Sequence, residues 1–201
     1  MTALPSQTVL QLQRRRRFNL KIRFPAAAAG IAICTLFTNT AAFAESKAEI
    51  DTSVAESVKQ FNKLNTTHSE LAKKAAGVLV FPRVTKGGAG IAGEYGEGAL
   101  QVNGKTVTYY KVSSASIGLT LGVAQHSEVI MFMTQESLDK FSTSKGWSIG
   151  ADTGVALVSK GAGDDYDSQT LQKAILGFVY GEKGLIADLS LEGSKVVKIE
   201  K

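Results

Sequence analysis

Between residues 78 and 100 the chain reads VLVFPRVTKGGAGIAGEYGEGAL, and the glycines at 87, 88, 90, 93, 96 and 98 constrain its fold more than any other feature. A glycine inside a helix costs about 1 kcal/mol relative to alanine, so no stable helix crosses this stretch, and the apolar run that opens it reads as a strand. Gly88, Gly90 and Gly93 also fit the G-x-G-x-x-G spacing of a dinucleotide-binding turn. That site needs its last glycine to open a helix whose amides hold a pyrophosphate, with an acidic residue about 20 positions on for the ribose. Gly96 and Gly98 deny the helix, and the residue 20 positions after Gly88 is Thr108, in a strand. The sequence thus argues against a nucleotide. Its glycines are expected to let a strand bend and other backbone come close.

The N-terminus is of a different kind. Arg14, Arg15, Arg16, Arg17, Lys21 and Arg23 precede the apolar run AAAAGIAICTLF, which is followed by small residues ending in Ala42-Phe43-Ala44. A basic segment, a short apolar core and an A-x-A site describe a secretory signal peptide, and the run is too short for the ~20 residues of a spanning helix. Residues 1–44 are therefore expected to be cleaved, by the general or the twin-arginine route, leaving a periplasmic domain of residues 45–201. Removing them takes six of the 23 Lys and Arg and none of the 18 Asp and Glu, so the net charge falls from +5 to −1. A global basic surface for nucleic acid disappears with them. Cys34, the only cysteine, goes too, and with it disulfide, thiolate and cysteine-metal chemistry.

Within residues 45–201, Ile50, Val54, Val58, Phe61 and Leu64 recur at three- and four-residue steps and predict an amphipathic helix. Thr67 and Glu70 form a capping-box pattern for a second helix over Ser69–Ala76. Thereafter the pattern is β. Asn103-Gly104 marks a two-residue hairpin turn, SIGLTLGVA alternates apolar with small residues, EVIMFMT is a buried strand, and QESLDKF is a short helix carrying Leu138 and Phe141. Helices first and strands afterwards give an α+β class: N-terminal amphipathic helices, then a strongly curved, mostly antiparallel glycine-rich sheet approaching a barrel.

Other chemical motifs fail on context. GWSIG places Ser148 in a G-x-S-x-G, but both histidines, His68 and His126, precede it and a strand follows, against the hydrolase order. Gly104-Lys105-Thr106 lacks the first glycine of a phosphate loop, since Ala99 stands there. Asp164, Asp165 and Asp167 lack the glycine and distal glutamate of a calcium loop. The two histidines read as solvated groups, His126 in an AQHSE turn. The expectation is a non-enzyme with no metal and no cofactor.

Read whole, AKKAAGVLVFPRVTKGGAGIAGEYGEGAL resembles the opening of the SYLF domain, a lipid-binding family whose pattern FP-x-V-x-KGG-x-G-x-GG-x-YG-x-G is met by Phe81, Pro82, Val84, Lys86, Gly87, Gly88, Gly90, Gly93, Tyr95, Gly96 and Gly98. The resemblance continues through SIGLTLGVAQHSEVIMFM, GADTGVAL and KGLIADLSLEGS. It implies binding of anionic phospholipid at a membrane surface, with the N-terminal helix as the facing element. The candidate contacts are then Lys73, Lys74, Arg83 and Lys86, with Val54, Val58, Phe61 and Leu64. The alternative is an envelope structural or protein-interaction module, in which that apolar stripe packs on the sheet.

Overall fold

The structure is a computed structural model that describes residues 44–150, 153–158, 167–184, 191 and 193–201, with the side chains of 117–120 not described. The expected signal peptide lies outside the described residues except for Ala44. So do Cys34, Asp164, Asp165 and most of the stretch 183–194.

Helix α1 (Lys47–Leu64) starts at a reciprocal cap in which Ser46 Oγ accepts from the Glu49 N–H and the Glu49 carboxylate accepts from the Ser46 N–H. It stops at Asn65, whose extended backbone ends one helix and whose side chain accepts from the Thr67 N–H to cap the next, α2 (Thr66–Lys74). The second helix thus begins three residues earlier than Thr67–Glu70 predicted, because asparagine already satisfies the free amides of its first turn.

Strand β1 (Gly77–Val102) and strand β2 (Lys105–Phe132) then form one long antiparallel ribbon, paired from Gly77↔Phe132 to Val102↔Lys105. Its turn is the expected Asn103-Gly104, with φ of 51° and 72°, the left-handed pair that a two-residue hairpin demands. Helix α3 (Gln135–Thr143) follows, then the short β3 (Trp147–Ser148) and β4 (Val155–Leu157), and finally β5 (Ile175–Gly184) and β6 (Lys195–Ile199). In the described residues the sheet order is β3-β6-β2-β5-β4 with β1 also on β2; every pairing is antiparallel except β4 with β5. The sheet curls into a half-barrel, and the α+β class with helices first is the one expected.

Glycine produces the curl. The backbone of β1 after its middle lies on the backbone before it: a Cβ on Gly98 would sit 2.1 Å from the Val80 carbonyl oxygen, and one on Gly96 would sit 2.8 Å from that of Arg83. No side chain fits between them. The bend is helped by register shifts at Phe81/Val84 and Ala89/Ile91.

Both faces of the sheet are covered, which explains the continuous apolar run VLVF at the start of β1. Val80, Val129, Met131 and Phe178 pack against Ile50, Val54 and Phe61 of α1 and Leu71 of α2. On the other face Leu79, Phe81, Ile130 and Phe132 pack with Leu138 and Phe141 of α3. Asp51 of α1 accepts hydrogen bonds from Tyr109 (2.9 Å) and Thr106 (3.0 Å), which fixes the rotation of the helix on the sheet.

Candidate functional site

Three features of the ribbon carry chemistry. The first is buried. His126 and Glu128 are two residues apart on β2 and so share a face; the curl of the ribbon brings Glu94, from beyond the bend in β1, onto the same spot. His126 Nε2 lies 2.9 Å from Glu128 Oε1 and 3.5 Å from Glu94 Oε1, and the three side chains are 2%, 0% and 3% exposed. Ser114 Oγ donates to the other oxygen of Glu94 at 3.1 Å. Glu94 Oε1, His126 Nδ1 and Glu128 Oε2 are buried without a hydrogen-bond partner. Burial disfavours charge on His126, but its bonds to Glu128 and Glu94 prevail and raise its pKa to about 9. Burial pushes the Glu128 carboxyl up to about 7. On Glu94 burial acts in the same sense and is outweighed by His126, so its pKa is lowered.

This corrects the expectation of solvated histidines. AQHSE is not a turn: residues 124–128 lie in β2 and pair with β1 on one side and β5 on the other, so alternate side chains must face the interior. The signal was present in the alternation Ala124, His126, Glu128, Ile130, which puts the polar pair on an apolar face. His68 is buried as well, stacked on Phe61 at 3.9 Å with Nδ1 2.8 Å from the Phe61 carbonyl.

The second feature is a cavity of about 640 Å³ where β1 bends, walled by Arg83 and Thr85 on one limb, Glu94 to Glu97 on the other, and Glu45 and Glu49 at the start of α1. Glu97 is its hub. The carboxylate accepts from Lys201 Nζ at 2.6 Å, from Tyr95 OH at 2.7 Å and from the Glu45 N–H at 3.1 Å. Lys201 also donates to the Glu45 carbonyl at 2.6 Å, and Arg83 pairs with the Glu45 side chain at 3.1 Å. Burial would raise the Glu97 pKa, but Lys201 and Tyr95 more than offset it and hold it low.

The third feature is an inversion. In SIGLTLGVA the small residues Gly122 and Ala124 turn inward while Leu121 and Val123 point out, 79% and 63% exposed; across the ribbon Ile91 is 67% exposed. The backbone is crowded at Gly88, the partner of Gly122, where a Cβ would sit 2.0 Å from the Ile91 carbonyl oxygen. On the outward apolar face Leu121 stands opposite Ala89, and Val123 opposite Gly87.

The residues expected to meet a membrane are dispersed. Val54 and Phe61 are spent in the core, Val58 is half-buried against it, and Leu64 is 51% exposed at the end of α1. Lys73 and Lys74 are exposed in the last turn of α2. Arg83 and Lys86 lie further on, roughly 20 and 30 Å of strand beyond the start of β1 at 3.3 Å per residue. Ser148 is exposed on β3, paired with Lys195, and the described residues around it form no strand-turn-helix.

Residues 113–201 match the Ysc84 family model, described as Las17-binding protein actin regulator. No curated protein matches the chain. The match takes in three of the stretches on which the resemblance rests, while the glycine-rich opening lies before it. It suggests a lipid-binding or actin-regulator type of domain, in a family of binding domains that is not a known enzyme family. Over residues 113–201 the chain is thus similar to the Ysc84, or SYLF, domain family, in agreement with the resemblance read from its sequence.

Proposed function

We propose that this is a periplasmic protein, exported by cleavage after Ala44, that associates with anionic phospholipid surfaces through the outward face of the β1–β2 ribbon. The carrying observation is the exposure of Ile91, Leu121 and Val123 together on that face. Transfer of a leucine- or valine-sized side chain out of water is worth about 1.5–3 kcal/mol, tenfold or more in affinity for each. Arg83 and Lys86 on the same ribbon, with Lys73 and Lys74 at the end of α2, add about 1 kcal/mol for each cation near an anionic surface. The stripe of α1 is the scaffold of this surface, and Leu64 is its one exposed member.

The test is cosedimentation with vesicles of phosphatidylglycerol and cardiolipin against phosphatidylcholine, at low and high salt. Serine at 91, 121 and 123 together should abolish the salt-resistant part of binding by at least about a hundredfold, with an unchanged circular dichroism spectrum. Glutamate at 73, 74, 83 and 86 should remove the salt-sensitive part, since exposed charges are screened beyond about 10 Å at 0.1 M salt. Equal sedimentation of wild type and the triple serine variant would refute the assigned face. No sedimentation with any vesicle would refute lipid binding in favour of a protein-interaction module.

A further inference from the structure

We propose that Glu94, His126 and Glu128 form a binding site for one divalent first-row transition-metal ion, of the Zn²⁺ or Mn²⁺ class, which clamps the two limbs of the bent ribbon. The inference stands apart from lipid binding. One imidazole nitrogen and one oxygen from each carboxylate lie within 4.8 Å of one another. His126 Nε2 makes edges of 2.9 and 3.5 Å to the two oxygens. Ligands about 2.0–2.1 Å from a tetrahedral ion are separated by about 3.3 Å, so these edges bracket the distance such an ion sets.

Charge and hydrogen bonding point the same way. Once the ion has displaced the proton of His126, two carboxylates and a neutral imidazole balance the charge of one divalent ion. In the protein alone Glu94 Oε1, one of the two carboxylate oxygens at these edges, is buried without a hydrogen-bond partner, 3.5 Å from the imidazole nitrogen. A buried carboxylate oxygen left unpaired is costly, and a cation removes that cost. The nitrogen ligand and the small ligand number favour zinc or manganese over calcium, which takes six to eight oxygens, and over magnesium, which keeps its waters. Ser114 holds the free oxygen of Glu94 in the manner of a supporting partner. Glu94 and Ser114 also line the cavity at the bend, so an ion and a completing water have a way in. Glu94 lies on one limb of β1, while His126 and Glu128 pair with Val84 and Phe81 on the other. A bound ion therefore cross-links the curl.

The experiment uses tag-free, chelator-stripped full chain. Metal analysis after equilibration with Zn²⁺ or Mn²⁺ should find about one ion per chain. An ion at a hundred times its Kd should raise Tm by about 5–10 °C for a domain of this size, with no such rise from Ca²⁺. Glu94→Gln and His126→Gln should each weaken binding at least about a hundredfold, as loss of a primary ligand requires. Co²⁺ should give the visible absorption of a low-coordinate nitrogen–oxygen site in the wild type, a readout that does not depend on any variant folding. Less than about a tenth of an ion per chain with an unmoved Tm, a colourless Co²⁺ complex, or undiminished binding in folded Glu94→Gln or His126→Gln would overturn the site.

Discussion

Replacing Gly98 with alanine puts a methyl group 2.1 Å from the Val80 carbonyl oxygen and 2.7 Å from Phe81 Cδ1, where ordinary contact begins at 3.4 Å. More than an ångström must be found, and neither neighbour yields easily. Val80 is held in register with Val129 of β2, and the Phe81 ring is wholly buried. Overpacking a close-fitted core costs about 1–3 kcal/mol, and a clash with backbone belongs at the upper end. At about 2–4 °C per kcal/mol for a domain of this size, Tm should fall by roughly 6–12 °C. Gly93→Ala is the matched control, because a Cβ there meets nothing within 4 Å, and its effect should stay within about 0.5 kcal/mol. Urea unfolding followed by circular dichroism measures both. A Gly98→Ala variant as stable as wild type, or a Gly93→Ala variant equally damaged, would refute the account of the glycines as the means of bending β1.

Phe61→Ala should cost about 3–5 kcal/mol, the usual range for a buried aromatic, while Leu64→Ala on the exposed side of the same helix should stay within about 0.5 kcal/mol; chemical denaturation separates them. Glu97 has a lowered pKa, so its contribution to stability is complete above its unfolded value of about 4.5 and is lost as pH falls through the lower folded value. Wild type should therefore lose its stability advantage over Glu97→Gln as the pH falls below about 4.5, as followed by Tm against pH. Intact-mass measurement of protein recovered from the envelope should find Glu45 as the first residue; retention of residues 1–44 would refute the export proposal.

Elements whose cause is local were legible in the amino-acid order. Asn103-Gly104 names its own turn, Leu138 and Phe141 mark the buried side of α3, and the three- and four-residue steps from Ile50 define α1. What the sequence hid depends on the bend. His126 looked solvated because serine and glutamine flank it, and only pairing on both edges of β2 turns it inward. The alternation of SIGLTLGVA does not say which of its faces turns outward, and in the structure Leu121 and Val123 are exposed while Ala124 is buried. Glu94 is 32 residues from His126 in sequence, and no spacing rule joins them until the ribbon curls. The four cations are close in sequence, with Lys73 and Lys74 at the end of α2 and Arg83 and Lys86 along β1.

Glu97 joins Glu45 to Lys201, residues 156 positions apart in sequence. In topological terms the described domain is almost a ring, clasped by the Glu97 carboxylate and by the direct bond from Lys201 to the Glu45 carbonyl. The linear order of its elements is then one of several that would give the same packing. A permuted chain joined from 201 to 45 by a short linker and opened at the Asn103-Gly104 turn would keep every pairing of the sheet. Its long ribbon would become an encounter between the two ends of a chain, a non-local contact that forms slowly. The hairpin connection therefore serves the speed of folding, and the clasp at Glu97 leaves the choice of starting point open.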